Sequence, residues 1–579
     1  MTSHPPTASR APQGGFSHVV GVAQPALSDS TISQCLDHTA AQRPEHLACV
    51  FAQTEGAGAG GIRWTWAQLR DKADQLAAGL LSLGLVKGDR VGIWSPNRPE
   101  WILAQYATAR IGVVLVNINP AYRLAELDYA LNKVQCQALI TAAAFKTSDY
   151  LGMLQTLAPE LVSSAPGQLH AARLPHLRSV IRTGQAVSPG MLNFDEVLGL
   201  ANADLLRQTT AIGTTLVCTD AINVQFTSGT TGQPKGATLS HHNIVNNALS
   251  VAAAMGFDGD GVLCIPVPLY HCFGMVMGSL VCTVTGGTMV FPSEGFEPEA
   301  TLQALHTERC THLHGVPTMF IAQLDHPRFA EFDLSALRGG IMAGSPCPVE
   351  VMKRVNTQMH MTDVTIAYGM TETSPVSFQS DTTDPVDKRV ATVGRVLPHL
   401  QVKVVDADGS TVPVGATGEL YTRGYSVMLG YWDDAARTEE AVVDGWMHTG
   451  DLATIDIDGY CNIVGRVKDM LIRGGENVYP REVEEFLFRH PQVAQVQVFG
   501  VPDSKYGEAV CAWVVLKAGQ VATEEDIRSF CQGQIAHYKV PRYVRFVSEL
   551  PMTVTGKAQK FMMRQQMMQA LGLADTKTA

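Results

Sequence analysis

Residues 227–236, TSGTTGQPKG, hold three glycines, four hydroxyl side chains, a proline and one lysine. Free backbone N–H groups, hydroxyls and one cation in so short a loop suit the oxygens of a polyphosphate. Counting from Gly229 or Gly232 places no Gly-Lys pair where the GxxxxGK[ST] signature needs one, and Lys235 is followed by Gly236. A flexible surface turn is the alternative reading of the same composition. The elements that must position the loop flank it. The apolar run 221–226 predicts a strand. Residues 241–255 predict an amphipathic helix with Ile244, Val245, Ala248, Leu249 and Ala252 on one face, N-capped by Ser240. Strand, glycine-rich loop and helix in that order predict a phosphate-binding arrangement.

The chain has 579 residues, 46% apolar and 17% charged, enough for a large core and more than one domain. Its net charge of −11 argues against a broad nucleic-acid or anionic-membrane surface. The twelve cysteines form no CxxC pair, so free, mostly buried thiols in a reducing, cytoplasmic setting are expected. His312 and His314 would share one face of a core strand, which speaks against a metal site there. Residues 261–293 carry no Asp, Glu, Lys or Arg, yet prolines and glycines interrupt them. Buried strands and a short helix explain that stretch better than a transmembrane segment. Residues 1–28 hold four prolines, no acid and one base, and read as a disordered tail.

Strands alternate with helices over most of the length, as in the helix 65–83, the strand 90–94, the helix 101–111, the strand 113–116 and the helix 124–134. This rhythm predicts α/β layers with parallel sheets. Near residues 398–431, short strands at 401–405 and 418–422 predict a β-rich subdomain. After a glycine-rich junction at 459–480, helices at 481–490 and 524–535 and strands at 493–501, 509–516 and 543–547 predict a compact α+β unit. The fold class expected is therefore α/β: a large N-terminal domain of α/β sheet layers with a β-rich subdomain, residues 29–467, and a small mobile α+β C-terminal domain, residues 468–579.

Four further segments stand in order behind the loop: YGMTETSP at 368–375, GWMHTGDLATID at 445–456, GRVKD at 465–469 and TVTGKAQK at 553–560. With them the chain resembles the acyl-adenylate-forming (AMP-binding) superfamily over nearly its whole length. RGGENVYPREVEEFL and GYSVMLGYW resemble the medium-chain acyl-CoA synthetases within it. The resemblance implies ATP and coenzyme A as co-substrates, Mg²⁺, and two half-reactions: adenylation of a carboxylate, then transfer to the thiol. It places Thr227, Ser228, Gly229, Thr230, Thr231, Gly232 and Lys235 over the β- and γ-phosphates, and Glu372 on Mg²⁺. It places Tyr368, Gly369, Gly344, Ser345 and Pro346 around the adenine, Thr371 at the α-phosphate, and Asp451 and Arg466 at the ribose. The same resemblance implies that Lys557 is the mobile cation of the small domain that serves adenylation, that Lys468 occupies the hinge, and that Gly474 and Gly475 approach the pantetheine channel.

Family position also suggests His271, Phe273, Val316, Met319, Met342 and Met370 around the acyl group, His271 with a catalytic part. Each equally suits ordinary core. The set is apolar apart from His271, which favours a hydrophobic tail over a charged one. The expected enzyme is an AMP-forming acid–CoA ligase for a medium-chain fatty acid. An aryl, branched or sterol-side-chain acid, loading of a carrier protein, and a non-catalytic scaffold on the same fold are the alternatives; a homodimer is open.

Overall fold

The computed structural model describes residues 10–53, 61–227, 233–345, 347–473, 476–503, 505–553 and 557–573. The predicted alternation builds two large sheets. In the eight-stranded sheet, Ser179–Arg182, Ala138–Thr141, Arg90–Trp94, Val114–Asn117 and Ala221–Thr227 run parallel in that spatial order. Parallel neighbours need crossovers. The helix Pro99–Arg110 supplies the one between Arg90–Trp94 and Val114–Asn117, and Leu124–Lys133 the one on to Ala138–Thr141. In the nine-stranded sheet, Asp363–Gly369, Gly339–Ala343, His312–Gly315, Val262–Cys264, Thr288–Phe291 and Leu47–Phe51 are parallel, with antiparallel strands at both edges. One hydrophobic cluster joins the two sheets, with Ile244, Val245 and Ala248 of the helix His241–Met255 within it. Leu249 of that helix, expected on the same face, instead reaches solvent.

The strand–loop–helix expectation is corrected. A second strand, Lys235–Ser240, pairs antiparallel with Ala221–Thr227 and lies between the loop and the helix. Thr227 and Lys235 therefore face each other across paired strands, and the helix N-terminus sits at the far end of the second strand. Residues 236–240 are buried on both faces, which erases the alternation that would have marked them as a strand. Ser240 does cap the helix, in a capping box with Asn243.

The expectation of a disordered tail over residues 1–28 also fails from residue 10 onward. The strand His18–Val20 pairs with Leu400–Val405 of a six-stranded antiparallel sheet, the predicted β-rich subdomain. Arg10 reaches Asp381 at 3.0 Å. A strand that long-range pairing recruits needs no periodicity of its own. Residues 261–293 fold as the expected strands Val262–Cys264 and Thr288–Phe291 around short buried helices, and no helix among the described residues is long and apolar enough to cross a membrane.

Beyond residue 470 lies the small α+β domain. Five strands form its sheet, with Tyr543–Phe546 parallel to Gly507–Leu516. Helices Pro480–Leu487 and Glu524–Cys531 cover one face. A helix that the sequence pattern did not reveal, Lys560–Leu571, covers the other through Met563 and Met567. Two cores of its own mark this unit apart from the large domain.

Candidate active site

Open parallel sheets present ligands at the carboxyl ends of their strands, and the residues singled out from the sequence collect there. Thr227 ends its strand. Val316 follows His312–Gly315, and Gly344 and Ser345 follow Gly339–Ala343. Tyr368 and Gly369 end Asp363–Gly369, and Thr371 and Glu372 form the short 3₁₀ turn behind Met370. Gly344 takes a φ of +89°, which glycine adopts without strain, and a Cβ there would meet Val316 Cγ1 at 3.1 Å. Ser228, Gly229, Thr230, Thr231, Gly232, Pro346, Gly474 and Gly475 lie outside the described residues.

Glu372 is buried and its Oε1 accepts two hydrogen bonds, from Thr227 Oγ1 at 3.2 Å and from the Tyr431 hydroxyl at 2.9 Å. Lys235 Nζ sits over the Tyr431 ring, 4.5 Å from its centroid. A buried carboxylate between a threonine, a phenol and a nearby ammonium is a hard-oxygen donor set, the kind a magnesium ion beside phosphates takes. Burial, and then the Glu372 charge, push the Tyr431 phenol well above its usual range, so it keeps its proton and donates.

A second carboxylate closes the opposite side. Asp451 Oδ2 accepts from the Tyr368 hydroxyl at 2.6 Å, and its Oδ1 accepts from Arg466 Nε at 3.1 Å. Asp451 and Arg466 face each other across the antiparallel pair Trp446–Ile455 and Cys461–Arg466. Burial followed by the Asp451 charge raises the Tyr368 phenol far above its ordinary range.

Lys557 belongs to the small domain and lies near enough for its charge to act on His271. Its backbone closes a turn with Thr553, through Thr553 N to Lys557 O at 2.8 Å and Lys557 N to Thr553 Oγ1 at 3.0 Å. The residue keeps contact with solvent, yet its ammonium is crowded by protein. Crowding, and then Arg466, lower its pKa, while Asp451, Glu372 and Cys272 pull it up. Burial and the Lys557 charge hold His271 down at about 3, so it is neutral. His271 Nδ1 accepts the Phe273 N–H at 3.2 Å and caps the short helix Cys272–Gly274, which leaves the ring proton on Nε2. Lys468 lies in the 3₁₀ turn Val467–Asp469, with its pKa lowered by burial and then by Arg466.

The acyl-side candidates Phe273, Val316, Met319 and Met342 are buried within the large-domain core, and Met370 packs against it. Phe273 lies beside His314, ring centroids 5.3 Å apart. His312 and His314 are buried core residues, as read from the sequence. All twelve cysteines are free, ten of them buried. Tyr431, which the sequence offers only as part of GYSVMLGYW and with no role, is brought to Glu372 by the fold. Cys272 donates to Gln225 Oε1 at 3.1 Å beside His271 in the chain, and neither residue carries a signal of its own.

The AMP-binding enzyme family profile matches residues 36–432, and the AMP-binding enzyme C-terminal domain profile matches residues 482–557. The chain is 47% identical over 561 residues to the medium-chain acyl-CoA ligase ACSF2, mitochondrial, of Danio rerio, covering 96% of this chain and 91% of the relative. It is 46% identical over 552 residues to the putative acyl-CoA synthetase YngI of Bacillus subtilis, covering 95% and 99%. The crystal structure of the anthranilate CoA ligase AuaEII in complex with anthranoyl-AMP superposes with a TM-score of 0.82 at 26% identity, covering 94% of this chain and 98% of that one. With its glycine-rich segment, buried glutamate, paired aspartate and small-domain lysine in family order, the chain belongs to the AMP-binding enzymes and is one of their acyl-CoA synthetases.

Proposed function

We propose that this acyl-CoA synthetase activates a medium-chain, hydrophobic carboxylic acid with ATP, and that each residue at the strand ends serves one part of that reaction. The observation that carries the reading is the pair of tethered carboxylates at the strand ends, Glu372 held by Thr227 and Tyr431 and Asp451 held by Tyr368 and Arg466. In the first half-reaction the acid attacks the α-phosphorus and pyrophosphate leaves. Two anions must approach, so a cation between them lowers the barrier most. Lys557 is that cation. His271 donates from Nε2 to the acid's carboxylate and, being neutral, does not trap it as an ion pair. Lys235, Thr227 and the glycine-rich segment between them hold the departing phosphates. Thr371 binds at the α-phosphate. Asp451 and Arg466 hold the ribose, with Tyr368, Gly344 and Ser345 beside the adenine.

Glu372 is the residue that would hold Mg²⁺, which supplies charge neutralisation between the phosphates when bound. The coenzyme A thiol, reaching in along Gly474 and Gly475, then attacks the acyl carbon; the C–S bond forms, the bond to the phosphate oxygen breaks, and AMP leaves as the thiol gives up its proton. The two steps need different groups beside one carbon, so the small domain turns about Lys468, a hinge type of switch, and takes Lys557 away. We place the domain boundary there, at 467/468. Phe273, Val316, Met319, Met342 and Met370 surround the acyl tail, and their apolar character selects an uncharged chain. The proposal includes a cytoplasmic enzyme, monomer or homodimer, which fractionation and sedimentation read out.

The test is AMP release with ATP, Mg²⁺ and coenzyme A over linear acids of graded length, aryl acids and dicarboxylates. Maximal kcat/KM on linear chains of intermediate length is expected. A maximum on aryl or branched acids would replace the substrate, and no transfer to free coenzyme A would favour a carrier-loading enzyme.

A further inference from the structure

Tyr431 touches both charged halves of the phosphate site. It belongs to the two-residue strand Gly430–Tyr431, which pairs with Lys235–Ser240 at Ala237 and Thr238. Its backbone N–H is tied to Thr438 Oγ1 at 2.9 Å, and the next residue, Trp432, donates to Gly236 O at 2.7 Å. The backbone is thus fixed on both sides, and the ring has one place to go. There its hydroxyl donates to Glu372 Oε1 at 2.9 Å and its face lies 4.5 Å from Lys235 Nζ. Among the described residues both hydrogen bonds to the Glu372 carboxylate fall on Oε1. That choice leaves Oε2 as the oxygen available to a cation.

We propose that Tyr431 is a positioning residue that couples the metal-binding carboxylate to the phosphate-binding lysine: its hydroxyl sets the orientation of Glu372, and its ring seats Lys235. The proposal rests on Glu372 holding Mg²⁺ and Lys235 holding phosphate. The ring and the hydroxyl act on different partners, so they separate by substitution. Tyr431→Phe keeps the cation–π seat and removes the bond to the carboxylate. Tyr431→Leu removes both.

The readout is binding of ATP, followed calorimetrically without acid or coenzyme A, in EDTA and over a Mg²⁺ series. Tyr431→Phe is expected to raise the Mg²⁺ concentration for half-maximal enhancement about tenfold, because a bond to a charged group is lost, and to leave ATP binding in EDTA unchanged. Tyr431→Leu is expected to weaken binding in EDTA as well, by about threefold. Thr227→Val reads the same carboxylate from its other side and should shift the Mg²⁺ series in the same direction, less far; it carries the test if the tyrosine variants do not fold. Glu372→Gln separates the two levels of the argument. If it moves the Mg²⁺ series and neither Tyr431→Phe nor Thr227→Val does, the orienting role is overturned while the metal role of Glu372 stands. If Glu372→Gln leaves the series unmoved, both fall. Equal weakening by Tyr431→Phe in EDTA and in Mg²⁺ would also overturn the orienting role.

Discussion

The proposed nucleotide side and the proposed acyl side of this site are built on opposite principles. On the nucleotide side, short directional contacts fix a few polar atoms: Tyr431 and Thr227 on Glu372, Tyr368 and Arg466 on Asp451. On the acyl side, Phe273, Val316, Met319 and Met342 are continuous with the hydrophobic core and owe their places to packing. Hydrogen bonds to charge set orientation and are lost whole when a partner is removed. Packing sets shape and volume, and changes by degrees. The first side should therefore be intolerant and generic across substrates, the second tolerant and selective.

Lys557→Ala gives the largest separation. ATP–pyrophosphate exchange should fall about a thousandfold, in the range for losing a preorganised transition-state charge, while thioester formation from supplied acyl-adenylate is largely kept. Equal loss of both half-reactions would contradict the division of labour. Met342→Ala tests the other side. It should cost about 3 kcal/mol in denaturant unfolding, as for a buried large-to-small change, and alter the chain-length profile with the KM for ATP unmoved. A shifted ATP KM and an unchanged profile would make Met342 ordinary core.

Asp451→Asn should raise the KM for ATP ten- to thirtyfold, a charged hydrogen-bond partner being lost, with the order of preferred acids unchanged. A changed order would mean that the two sides are not independent. Acid should strike the packed core through its neutral histidines. Burial lowers His241 and His314 to about 4 and His312 to about 3, against an ordinary 6.5. Between pH 6.5 and about 4 the unfolded chain binds protons that the folded chain refuses, so stability falls as pH falls through that window. Each contributes about 1.4 kcal/mol per pH unit. Melting that is flat over this range would refute the buried neutral state. Arg10→Ala, far from both sides, should change stability by less than about 1 kcal/mol, as for a part-exposed ion pair, and should leave kcat untouched.

The two sides were also unequally legible. The 227–236 loop carries its chemistry in its residue types, and Glu372, Asp451, Arg466 and Lys557 are marked by the family motifs in which they stand. Helix positions were legible too, because the helix His241–Met255 announces itself by its cap and its apolar stripe. Met319 and Met342 were not, because an apolar residue in a pocket wall and one in the core are the same residue type in the same pattern. The strand Lys235–Ser240 was hidden for a related reason: burial on both faces leaves no alternation to read.

By itself, the sequence determined the order of the motifs and the α/β alternation that carries them to strand ends, since period and composition act over a few residues; the nucleotide roles came from the family resemblance that the motifs carry together. Tertiary structure alone decided that a second strand, Lys235–Ser240, stands between the glycine-rich segment and the helix. It alone brought Tyr368 to Asp451 across 83 residues, Thr227 to Glu372 across 145, and Tyr431 to Glu372 across 59. Such pairs depend on which strands lie side by side, which is a property of the packed sheets and of no segment within them.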